Sequence, residues 1–94
     1  MLLGKLRIIG HSMEPALKNN NIVLVSNLFY IFKEPKVNDI VAFKFNNKKM
    51  VKRISQIKDN QYFVIGDNIN DSLDSRKIGF IDRKNILGKV FKII

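Results

Sequence analysis

Ser12 stands in the segment Gly10-His11-Ser12-Met13-Glu14-Pro15, and Lys52 in Val51-Lys52-Arg53-Ile54. A serine hydroxyl is a poor nucleophile until a neighbouring base takes its proton, and a lysine held neutral can be that base. On a strand alternate residues share a face, so Met50 and Ile54 flank Lys52 while Val51 and Arg53 point the other way. Apolar flanks desolvate an ammonium and lower its pKa, which is the shift a general base near neutral pH requires. Arg53 cannot take that part, because a guanidinium stays protonated. The single histidine, His11, adjoins Ser12, but neighbours in an extended segment project to opposite sides; it is assigned to the substrate groove, not to proton abstraction. Taken one at a time, Ser12 reads equally as a turn or cap serine ahead of Pro15, and Lys52 as a solvated strand lysine.

A third segment, from Gly66 to Gly79, is dense in polar groups: Asp67, Asn68, Asn70, Asp71, Ser72, Asp74, Ser75 and Arg76. Loops held by strands carry function disproportionately, so chemistry is sought here. Paired-carboxylate catalysis or a divalent cation would need a bracketing ligand motif, which is lacking, and Arg76 lies among the acids. There is no cysteine, so thiol catalysis, disulfides and Cys/His metal sites are excluded, and no cofactor is expected.

Together the three segments resemble, in order, the serine, lysine and C-terminal loop boxes of the signal peptidase I family. Asn38-Asp39-Ile40-Val41-Ala42-Phe43 is similar to the strand before that family's lysine, and the likeness covers nearly the whole chain. The resemblance implies a serine endopeptidase with a Ser12/Lys52 dyad. It implies that Ser72 hydrogen-bonds and orients the lysine, that Asp74 and Arg76 form a structural acid–base pair, and that the Ser12 backbone N–H is one oxyanion donor. Bacterial members often carry a serine two residues before the nucleophile; here that position is Gly10, which offers only its backbone. Eleven residues precede Ser12 and twelve separate Arg53 from Gly66. In this shortness, and in Gly10 to Pro15, the chain is similar to the small proteases that remove the leader from nickel-containing superoxide dismutase. The expected partner is therefore a precursor protein with an N-terminal leader, nickel superoxide dismutase first, with an exported preprotein processed at the membrane surface as the alternative.

The elements that must hold these residues read as short strands. Leu6 to Ile9 and Ile22 to Val25 are β-branched runs bounded by Gly10 and the Asn19-Asn20-Asn21 tract. Ile40 to Phe45, Asn46-Asn47 and Lys49 to Ile57 read as a hairpin; Tyr62 to Ile65 and Ile86 to Ile94 complete the set. The expected fold is mostly β, a small twisted antiparallel sheet or partly closed barrel resembling the signal peptidase catalytic core, with an irregular functional loop over 66–79. The 94 residues suit a single domain, 1–94.

Seventeen Lys+Arg against eight Asp+Glu give a net charge of +9, and thirteen of those bases are lysine, a point charge that suits an anionic surface better than bidentate base reading. No nucleic acid is expected. No run approaches the ~18–20 apolar residues of a spanning helix, so the expected location is cytoplasmic. Leu28-Phe29-Tyr30-Ile31-Phe32 and the basic first part of the chain leave a weak peripheral membrane contact as the alternative.

Overall fold

The computed structural model describes residues 4–70 and 73–94. Seven strands, β1 (Gly4–Arg7), β2 (Ile22–Ser26), β3 (Ile40–Phe45), β4 (Lys48–Lys58), β5 (Gln61–Ile65), β6 (Ile81–Asp82) and β7 (Ile86–Ile93), form one antiparallel sheet in the order β1-β2-β7-β3-β4-β5-β6. The turns follow from side-chain chemistry. Asn46 and Asn47 both take positive φ (50° and 64°) between β3 and β4, as a two-residue hairpin connection demands and asparagine tolerates; Asp59 (φ 55°) does the same before β5.

The expected antiparallel β fold is what the chain adopts, with three local differences. β1 starts and ends two residues earlier than the β-branched run suggests, because Ile8 already bonds across the neck of the following loop, its N–H donating to Asn21 O at 2.8 Å. β6 is too short to signal itself. The 66–79 loop contains a helical turn, α1 (Ser75–Ile78), started by the Asp74 side chain accepting from Arg76 N–H.

Both faces of the sheet are buried at its centre. On β3, Val41 and Phe43 join Ile54, Tyr62 and Val64 in one core, whereas Ala42 joins Val23, Val25 and Val90 in the other. The second core also takes Ile8, Met13 and Leu17, so the segment around Ser12 is pinned by apolar anchors on either side of it. Gly88 lets β7 lie close to β2: a Cβ there would fall 2.7 Å from the Ser26 carbonyl.

The sheet is not closed by hydrogen bonds. β1 pairs only with β2, and β5 meets β4 only from Arg53 onward, so Lys48 to Lys52 have an unpaired edge within the described residues. Residues 6–9, on and just after β1, and residues 49–52 of β4 line the two walls of a groove, with Ser12 and Lys52 both in its lining.

Candidate active site

Lys52 sits on β4 opposite Val41 of β3, flanked on its own face by Met50 and Ile54. The strand period therefore carries its ammonium into the interior, where the residue is only 5% exposed. Burial pushes the Lys52 pKa below its ordinary value, and the nearby Asp74 carboxylate opposes that shift in part.

Ser12 arrives by a different route. Between β1 and β2 the chain makes a loop whose neck is closed by the Ile8 and Asn20–Asn21 backbone, with Asn20 N–H donating to Ile8 O at 2.7 Å. Gly10 adopts φ +94°, a region closed to most side chains, and turns the chain toward β4. Its N–H donates to Asn19 Oδ1 at 2.8 Å, so Gly10 shapes the loop and has no amide left for an oxyanion. Met13 and Leu17, joined by a Leu17 N–H to Met13 O bond of 2.9 Å, then anchor the loop in the core. The result is a separation of 2.8 Å between Lys52 Nζ and Ser12 Oγ.

His11 turns away from that contact. Its Nδ1 lies 2.7 Å from Glu14 Oε2, and this hydrogen bond holds the Glu14 carboxyl below its usual range. The imidazole does line the cleft beside Ser12, together with Asn70, Leu73 and Lys77.

The 66–79 loop serves as a brace. Asp74 is fully buried and accepts from Gly66 N–H at 2.9 Å and from Arg76 through backbone N–H, Nε and a terminal guanidinium nitrogen. Arg76 in turn donates to Ile69 O at 2.7 Å. Ser75 Oγ accepts from Val64 N–H at 2.8 Å, tying α1 to β5. At the start of the loop Asp67 grips Arg53 with two bonds of 2.8 Å, which fixes the loop to β4 one residue beyond Lys52. Ser72 and Asp71 lie outside the described residues.

Asn68 makes a link that sequence spacing does not show. Its backbone N–H donates to Ser12 O at 2.8 Å and its side-chain amide to His11 O at 3.1 Å. The loop box thus holds the serine box directly through its carbonyls, and the Ser12 N–H makes no hydrogen bond among the described residues. Such an arrangement supplies a hydroxyl, a desolvated amine within proton-transfer distance, an available backbone donor and, on either side, unpaired strand edges along which an extended chain can lie. No cluster of three or more metal-ligating side chains occurs among the described residues.

Comparison with known proteins bears on the chain as a whole. The family described as signal peptidase, peptidase S26, matches residues 1–55 and 54–94. A signal peptidase I of Buchnera aphidicola subsp. Baizongia pistaciae is 36% identical over 85% of this chain and 28% of its own length. One from Buchnera aphidicola subsp. Schizaphis graminum is 45% identical over 62% of this chain and 17% of its own. A probable signal peptidase I-2 of Synechocystis is 26% identical over 89% of this chain and 59% of its own. The chain therefore spans less than two thirds of the length of the relatives it matches. With the family match running from end to end of the sequence and the serine, lysine and loop segments gathered at one groove, this chain belongs to the S26 signal peptidase family.

Proposed function

We propose that the protein is a serine endopeptidase that removes an N-terminal leader peptide from a precursor protein, with Ser12 as nucleophile and Lys52 as general base. The observation that carries this reading is the 2.8 Å contact between a largely buried lysine and an accessible serine at the end of an open groove. The leader lies extended between the free edges of β1 and β4, main-chain pairing giving affinity and shallow pockets giving side-chain preference. Neutral Lys52 takes the Ser12 proton as Oγ attacks the scissile carbonyl, and the Ser12 N–H donates to the oxyanion. The tetrahedral intermediate collapses, Lys52 returns the proton to the leaving amine, and an acyl-serine remains. Lys52 then deprotonates a water that attacks the ester, and the proton goes back to Ser12 as the acid leaves. The resemblance assigns Ser72 to the orientation of Lys52.

Two precursor classes fit. The relatives' name, signal peptidase I, supports an exported preprotein; exposed Leu28, Phe29, Ile31 and Phe32 support processing at a membrane surface. The likeness of Gly10 to Pro15 to the maturation proteases of nickel superoxide dismutase supports that enzyme's leader. Mass spectrometry of both precursors, each incubated with the wild type and with Ser12→Ala, decides. Cleavage of one by the wild type alone assigns the substrate, and no Ser12-dependent cleavage of either refutes the peptidase reading.

Two further results are expected. The kcat/KM for a cleaved precursor rises with pH as Lys52 loses its proton, with the midpoint of that rise below the ordinary lysine value of about 10.4. Asn68→Ala removes the side-chain bond to the His11 carbonyl without substituting Ser12 or Lys52, and a nucleophile shifted by about 1 Å as a result costs on the order of 100-fold in rate. Steady-state kinetics should show that loss in kcat, with KM little changed and the circular dichroism spectrum retained.

A further inference from the structure

The groove has two arms that meet at the dyad. One runs between residues 6–9 and 49–52; the other opens past Ser12 toward α1. Arg7 and Lys49 stand on the first arm and Lys77 on the second, and the described lining of both contains no aspartate or glutamate. None of the three cations has an ion-pair partner among the described residues. The described carboxylates on neighbouring elements are committed elsewhere: Glu14 to His11, Asp67 to Arg53, and buried Asp74 to Arg76. Low-dielectric walls, here Ile8, Met13 and Met50, focus the field of such charges into the groove.

We propose that Arg7, Lys49 and Lys77 are specificity-determining residues, and that the groove selects substrates carrying carboxylate side chains on both sides of the scissile bond. Arg7 and Lys49 read one flank and Lys77 reads the other. This rests on the peptidase reading of the same site and deepens it, because apolar pockets alone discriminate poorly between small residues, whereas charge on the flanks distinguishes one small-residue stretch from another.

The test uses internally quenched peptides with Ala-x-Ala before the cut and aspartate, asparagine or lysine at flanking positions on either side. For each, kcat/KM is measured with the wild type and with Arg7→Glu, Lys49→Glu and Lys77→Glu, and binding is measured by fluorescence anisotropy with Ser12→Ala. Aspartate is expected to exceed lysine by roughly fivefold per flank at low salt, the size of an exposed ion pair, with the ratio shrinking toward one in high salt. Lys77→Glu should invert the preference on one flank only; on the other, Arg7→Glu or Lys49→Glu alone should abolish it and the double reversal should invert it. Equal values for all peptides, or a preference that the reversals leave unmoved, would overturn the proposal. Absence of Ser12-dependent cleavage throughout would overturn the peptidase reading instead, while the anisotropy series would still report whether the groove prefers acidic chains.

Discussion

Lys52→Met is expected to end peptide hydrolysis and at the same time to raise the stability of the fold at neutral pH. Loss of the base from a nucleophile–base unit costs on the order of 10⁶ in kcat. Methionine keeps much of the length and apolar bulk of the lysine stem between Met50 and Ile54, and Ser12, partly exposed, can turn its hydroxyl to water. The stability gain follows from linkage. The Lys52 pKa is lower in the folded chain than in the unfolded one, so between those two values the unfolded state binds a proton that the native state does not, and stability rises with pH through that window. Below it the native state bears the full penalty of a buried ammonium, which methionine does not. Urea unfolding at a series of pH values should show the wild type gaining stability toward alkaline pH and the variant lacking that gain. A variant that is less stable at neutral pH, or that still cleaves, would count against Lys52 as a desolvated base.

The largest stability loss is expected from Asp74→Ala. The carboxylate is fully buried, caps α1, accepts from Gly66 N–H and receives three bonds from Arg76. Removing one partner of such a pair typically costs about 3–5 kcal/mol, because the remaining donors are left unsatisfied. At about 4–8 °C per kcal/mol for a domain of this size, the melting midpoint should fall by roughly 12–40 °C in a circular dichroism melt. Asp74→Asn separates charge from packing. It removes the attraction that holds the Lys52 pKa up, so the acid limb of the rate profile should move to lower pH even where the protein remains folded.

Much of this arrangement is legible along the chain because it is local. The Asn46-Asn47 hairpin, the alternation that buries Lys52 between Met50 and Ile54, and the turn after Gly10 each depend on a few adjacent residues. The segments that carry Ser12 and Lys52 are recognisable for the same reason. What sequence leaves open is set by contacts between distant segments. Nothing near Asn68 signals that it will reach the carbonyls of His11 and Ser12, and Asp67 carries no mark of its grip on Arg53. The placement of β7 between β2 and β3 depends on Gly88 meeting the Ser26 backbone, a fit that only the assembled sheet reveals. α1 is four residues long, too short for periodicity to register, and its start rests on the buried Asp74.

The open edges of β1 and β4 bear on more than substrate. An unpaired strand edge is a template for any extended backbone, including another copy of the same protein, and edge-to-edge pairing is a common route to aggregation. Lys5 and Arg7 stand along one of these edges and Lys48 and Lys49 along the other, so two copies approaching through them bring like charges together. An extended chain that is itself acidic meets no such barrier. The same cations can therefore keep the molecule dispersed and leave its groove vacant for a chain of opposite sign.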